Sequence, residues 1–198
     1  MKKRFTLFAV LLIYLLPSCQ ETNTKVETPK ETHELLGYSN QEAWGEHLVA
    51  TMGCDDCHSP KVMTEKGPIP NLAFRLSGHP AGEVVPSIDR STIEKNGMAA
   101  CNSHFTAWIG PWGISYAANL TSDPSGIGNW SEEQFIRAIR EGKYKGLESG
   151  RELLPPMPWP NYAKLNDKEL KAMLAYLKTV PPVANVVPAP EPPVTAMK

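Results

Sequence analysis

The stretch GCDDCHSP, residues 53–60, sets the thiols of Cys54 and Cys57 three residues apart and places the imidazole of His58 directly after the second. Thiols and imidazole in this order suit two different centres. As Cys-x-x-Cys-His they form the attachment motif of a c-type haem: the sulfurs stand one helical turn apart for thioethers to the two vinyl groups, and His58 follows in position to face the iron. As half of a tetrahedral zinc site they need a second pair, which Cys101 and His104 in CNSH (101–104) supply. The interval between the two pairs far exceeds zinc-ribbon spacing, and zinc leaves His58 without a role. Haem uses all three residues. A thioredoxin-like role for the two thiols lacks the βαβ context it requires.

Upstream of the motif, a helix is expected from Ser39 or Asn40, with Ser39 and Glu42 as a capping box and Trp44, Leu48 and Met52 at spacing four, running straight into Cys54. Residues 19–37 before it are polar and rich in Thr, Glu and Lys, the composition of a tether. Residues 1–18 read as an export signal: the basic start MKKR, the apolar run FTLFAVLLIYLL, then PSC. Twelve apolar residues are too few to span a bilayer, which takes about 20. Leu16, Pro17, Ser18 and Cys19 resemble the bacterial lipobox, so Cys19 is expected to carry lipid and hold the protein on the periplasmic side of a bacterial membrane. Ordinary cleavage to a soluble periplasmic product is the alternative. Export agrees with haem, because c-type attachment is completed outside the cytoplasm.

Downstream, LLPPMPWP (153–160) sets Met157 between prolines that fix φ and restrict the preceding residue, a stiff loop suited to hold a weak thioether ligand. Met52, Met63, Met98 and Met173 lack such bracing, and His79 and His104 are expected to be ordinary polar residues. Imidazole and thioether together raise the reduction potential and close both axial positions. Two further helices are predicted. One starts at Ser131, with Gln134 reaching back, Trp130 and Phe135 as a staple, and Gly142 as the stop. The other starts at Asn166 with Glu169, carries Leu170, Met173, Leu174 and Leu177 on one face, and ends before Pro181 and Pro182. No strand of comparable strength is predicted. Between the first two helices lies a long Gly-, Pro-, Ser- and Asn-rich segment, 59–129, which a compact domain rarely carries unless something large organises it. The stretch PPVANVVPAPEPPVTAMK (181–198) holds six prolines in eighteen residues, so residues 184–198 are expected to be an extended, unstructured tail and the folded domain to span 38–183.

The order of these features resembles that of class I monohaem cytochromes c over about residues 40–182, most closely in CDDCH and in the half from NLTSDPSGIGNW to LKTVPPV. The resemblance implies an all-α domain wrapped around one covalent haem c. Its long irregular insertion, about 60–118, departs from compact members. It also implies a close crossing of the first and last helices with Gly45 against Tyr176. Within the insertion, Gly110 and Gly113 permit close approach to a flat ring, and Trp112 and Asn119, with Trp159 from the Met157 loop, are candidate donors to haem propionates. Cys101 is left over as a buried thiol without function.

The expected function is electron transfer, Fe(III)/Fe(II) cycling between redox partners of a respiratory chain or dehydrogenase, with no substrate bond made or broken. A peroxidase-like haem enzyme or sensor requires Met157 to leave the iron. Formal net charge is −1, and loss of Lys2, Lys3 and Arg4 with the signal leaves 17 basic against 21 acidic residues. With no basic cluster after Arg4, nucleic acid is excluded as a partner class.

Overall fold

Asn40 starts the first helix, α1 (Gln41–Thr51), by accepting the Ala43 N–H on its side-chain oxygen at 2.7 Å. The computed structural model describes residues 36–194; the export signal, Cys19 and nearly all of the tether lie outside them. The cap is thus Asn40 alone and not a Ser39–Glu42 box. Nor does α1 run into Cys54: Gly53, at φ +69°, breaks it and restarts the chain as a short helix, α2 (Cys54–His58).

The last long helix, α6 (Asp167–Thr179), opens with the full Asn166–Glu169 capping box and buries Leu170, Met173, Leu174, Tyr176 and Leu177. It crosses α1 at Gly45, where an added Cβ would sit 1.9 Å from the Ala172 carbonyl oxygen and 2.9 Å from the Tyr176 Cβ. Only a residue without a side chain permits this approach. The third main helix, α4 (Glu132–Arg140), is capped by Ser131 accepting from the Gln134 N–H at 3.1 Å and buries Phe135 and Ala138. Past its end, Gly142 has φ +63°. Trp44, Leu48 and Val49 of α1, Phe135 of α4 and the apolar face of α6 form one core, which Leu76 and Ile127 from the irregular segment complete.

The insertion is not all coil, and the expectation of an all-α fold is corrected by five short strands. β1 (Lys61–Thr64) and β2 (Gly67–Pro70) form a hairpin in the register Val62 opposite Ile69. After α3 (Arg90–Lys95), β3 (Ala100–Cys101), β4 (Ala107–Gly110) and β5 (Gly113–Tyr116) make a three-stranded antiparallel sheet. None is longer than four residues, too short for an alternating pattern to stand out. A four-residue helix, α5 (Trp159–Tyr162), follows the Met157 loop.

Residues 184–194 are extended, as the prolines demand, but they are packed chain rather than the unstructured tail expected. The Glu191 backbone exchanges two hydrogen bonds with Ile114, at 2.9 and 3.0 Å. Asn185 donates to the carbonyls of Ser77 at 2.7 Å and His79 at 2.9 Å.

Candidate functional site

The left-handed turn at Gly53 starts α2 so that Cys54, Cys57 and His58 all line one cleft. The space between its walls is about 1270 Å³, the open mouth included. Phe135, Ala138 and Ile139 of α4 and Met173 and Leu177 of α6 give it apolar walls, and Met157 enters from the proline-bracketed loop. Motif and methionine, a hundred residues apart in sequence, therefore meet in the same cleft.

His58 donates from Nδ1 to the Ala118 carbonyl at 2.7 Å, which fixes the tautomer and leaves Nε2 as the unprotonated nitrogen. Burial pushes its pKa below the usual imidazole range, keeping the ring neutral as metal ligation requires. The Cys54 thiol is pushed up to about 12, chiefly by burial and then by the nearby Asp55 charge, and burial raises Cys57 as well. Thiols held neutral in apolar surroundings are poor redox nucleophiles, so a thioredoxin-like role does not fit them.

Asp55 locks α2 in place. The Arg75 guanidinium donates to both its oxygens, Nε to Oδ1 at 2.9 Å and Nη2 to Oδ2 at 2.6 Å, while Nη1 reaches the Tyr176 hydroxyl of α6 at 2.5 Å. Ser59 donates to Asp55 at 2.7 Å and in turn accepts the Leu76 N–H at 2.8 Å. Burial works to raise the Asp55 pKa, but the bonds from Arg75 and Ser59 outweigh it and hold the carboxyl below its usual range. The motif helix is thereby tied to the insertion and to α6 by a single carboxylate.

The Met157 loop is braced in the same manner. The Ser115 hydroxyl of β5 donates to the Pro155 carbonyl at 2.5 Å, and the Tyr162 hydroxyl donates to the Met52 carbonyl at the end of α1 at 2.6 Å. Of the other methionines, Met63 and Met98 are exposed and Met173 lies in the cleft wall as part of the α6 core. His79 is fully buried, its Nε2 donating to the Glu83 carbonyl and its Nδ1 accepting from Thr106. His104 donates to the Glu83 carboxylate at 2.9 Å. Among the described residues no group of three or more His, Cys, Asp or Glu is placed to hold a metal, so the Cys54, Cys57, Cys101, His104 zinc site does not assemble. Cys101 is exposed on β3, not buried as expected.

None of the three expected propionate donors lines the cleft. Trp112 donates to Ser115 at 3.2 Å and lays its ring on Gly110, 2.4 Å from where a Cβ would stand; Gly110 makes room for Trp112 and not for a cofactor. Asn119 is buried and donates to the carbonyls of Val183 at 2.8 Å and Asn185 at 3.3 Å, because those backbone acceptors have no strand or helix partner. Trp159 packs on Gly142. The polar groups that do line the cleft include Arg151, Tyr144, Lys145 and Tyr116, together with Ser115, Tyr162, Trp108 and Trp130. The Arg151 guanidinium, on an exposed side chain, stacks 4.0 Å over the Tyr144 ring and donates from Nη1 to the Glu152 carbonyl at 2.7 Å, which leaves a cation at the mouth of the cleft. No sequence motif announces Arg151, which sits in an unpatterned loop.

Two neutral thiols, a neutral imidazole of fixed tautomer, a thioether and apolar walls with a cation among them fit a covalently attached porphyrin. Comparison with known proteins agrees. The family model for Cytochrome c matches residues 42–181. Among curated proteins, the chain is 41% identical over 83 residues to the cytochrome c subunit of alcohol dehydrogenase (quinone) of Gluconobacter oxydans, covering 41% of this chain and 17% of that one. It is 42% identical over 77 residues to the gluconate 2-dehydrogenase cytochrome c subunit of Pantoea cypripedii, covering 38% and 17%, and 40% identical over 70 residues to the fructose dehydrogenase cytochrome subunit of Gluconobacter japonicus, covering 35% and 14%. The matched segment spans at most 17% of the length of these relatives.

Proposed function

Because this chain belongs to the cytochrome c family, we propose that Cys54 and Cys57 carry the thioethers of a single haem c, that His58 and Met157 are its axial ligands, and that the domain is a class I monohaem carrier. Electron transfer through covalent haem c, with no substrate turned over by the protein itself, follows from the family and its cytochrome-subunit relatives. Bound haem supplies one-electron chemistry.

What the chain supplies is position, polarity and exclusion of water. Ala118 aims the His58 ring and raises its basicity through the Nδ1 bond. Pro155, Pro156 and Pro158 limit the freedom Met157 would lose on ligation, and Ser115 pins the loop through the Pro155 carbonyl. The α4 and α6 side chains dry the cleft, and Arg151 stands ready for a propionate. The observation that supports this reading most is the presence of Met157 in the same cleft as Cys54, Cys57 and an Nδ1-anchored His58.

The relatives point to the partner. The domain takes electrons from a dehydrogenase and passes them on, exported and held by lipid at Cys19 on the periplasmic side of a bacterial membrane. Residues 19–37 serve as the tether and 38–183 as the body of the carrier domain, against which residues 184–194 pack. Release of a Cys19→Ala variant from the membrane fraction is expected; unchanged fractionation would count against the anchor.

The ligand assignment is tested in protein made where haem is attached. The parent is expected to show a low-spin six-coordinate spectrum with the weak thioether-to-iron band. Met157→Ala should lose the band, keep haem by mass, and lower the potential. Met173→Ala should keep the band, and the opposite pattern would transfer the ligand role to Met173.

A further inference from the structure

The family match stops at residue 181, yet the chain beyond it lines the cleft: Val187, Pro188 and Pro190 belong to its walls together with Cys57, His58 and Met157. Resting on the haem assignment above, we propose that residues 183–194 are a strap that forms an outer wall of the haem crevice, latched at Glu191, and that this wall sets the crevice's polarity and access.

Three sets of contacts hold the strap. At its start, Asn119 donates to the carbonyls of Val183 and Asn185, and the Val183 N–H reaches Thr121 Oγ1 at 3.2 Å. In the middle, Asn185 donates to Ser77 and His79 and accepts the Ala81 N–H at 2.9 Å. At its end, Glu191 pairs with Ile114 through the backbone, and its side chain accepts from Arg90 Nη1 at 2.7 Å and from the Tyr116 hydroxyl at 3.0 Å. Gly113 is glycine because any Cβ there would stand 2.0 Å from the Glu191 carbonyl oxygen.

Between these anchors the chain alternates. Val186 is 76% exposed, whereas Val187 is half-buried and turned to the cleft. Such alternation is what an extended segment gives when one face is covered. Tyr116 ties latch to site, since it lines the cleft and also donates to Glu191. An apolar wall beside haem disfavours the more highly charged oxidised form, because burial and local charge are levers on the potential.

The adjacent valines give the test. Val187→Asp, in holoprotein whose mass and spectrum match the parent, places a carboxylate against the crevice and should lower the reduced-to-oxidised ratio at fixed ambient potential about tenfold, about 59 mV for one electron. Val186→Asp adds the same charge on the outer face and should leave the midpoint nearly unchanged. Equal shifts, or none in either variant, would overturn the proposal. Because a buried carboxylate can disturb folding, Glu191→Lys in the full chain gives an independent measure. It should speed hydrogen exchange at the backbone amides of Ile114 and position 191 and raise the rate at which cyanide or imidazole reaches the iron, while Glu191→Gln stays close to the parent. Unchanged exchange, or faster exchange with parental ligand access, would refute the latch. Absence of haem from the parent would instead refute the assignment beneath it.

Discussion

Replacing Gly45 by alanine adds one methyl group where α1 meets α6, and the structure fixes what it meets. The new carbon would stand 1.9 Å from the Ala172 carbonyl oxygen, 2.5 Å from the Ala172 carbonyl carbon and 2.9 Å from the Tyr176 Cβ. Two of these are backbone atoms of a helix that cannot turn aside as a side-chain tip can. In a solvent-facing helix the same change would help, by about 1 kcal/mol of helix propensity. Here the helices must separate instead, loosening Trp44, Leu48 and Val49 from the α6 face. A cost of about 3 kcal/mol, the upper part of the overpacking range, outweighs the propensity gain and leaves a net loss of about 2 kcal/mol. For a chain of this size that lowers Tm by roughly 4–8 °C. Thermal unfolding of the haem-loaded protein, followed by far-UV circular dichroism, measures it. Gly82→Ala is the control, because a Cβ there meets nothing within 4 Å. A Gly45→Ala protein as stable as the parent or more so would show that the two helices do not depend on this contact.

Asp55→Asn removes the charge that binds Arg75 and should cost about 2 kcal/mol at neutral pH, between the values for exposed and buried pairs. The Asp55 pKa is depressed in the folded protein, so its contribution is complete above the usual carboxylate range and disappears as pH falls through the folded value. The Tm gap between parent and variant should therefore narrow from pH 7 toward about pH 3; a gap independent of pH would exclude the carboxylate as the source. Tyr162→Phe deletes the bond to the Met52 carbonyl. It should cost about 1 kcal/mol and speed imidazole binding at the iron as the Met157 loop loosens, and parental kinetics would separate that bond from the loop.

The parts of the molecule legible in the sequence are those in which a short rule maps to a short-range contact. Asn166 and Glu169 sit three residues apart and form the capping box seen in the structure. Leu170, Met173, Leu174 and Leu177 follow the helical repeat and face the core. Ser39 failed as a cap for an equally local reason: Asn40 is one residue closer to the first turn and its side-chain oxygen takes the Ala43 N–H first. The spacing of Cys54, Cys57 and His58 and the prolines around Met157 single out four residues that the structure brings to one cleft. Arg151 was not, because nothing beside it in sequence hints that the fold will bring its guanidinium to the cleft.

The insertion and the C-terminal strap obey a different kind of order, which no periodicity records. Their backbone groups have few ladder partners, yet buried carbonyls and amides must be satisfied. Here single polar side chains do what a strand would otherwise do. Asn119 takes two carbonyls of the strap, Asn185 returns two bonds to the insertion, and Asn102 accepts the amides of Thr106 and Ala107. The bonds of Asn119 and Asn185 join positions chosen by the fold rather than by spacing, so a sequence rich in Asn, Ser, Pro and Gly looks like loop whether or not it is fixed. Proline completes the effect at the strap: lacking N–H groups, Pro188 and Pro190 can line a dry cleft without leaving a donor unmet. The same composition that suggested disorder therefore suits chain that must lie extended against an apolar crevice, and what decides between the two outcomes is whether residues such as Asn119 and Glu191 stand ready to hold it.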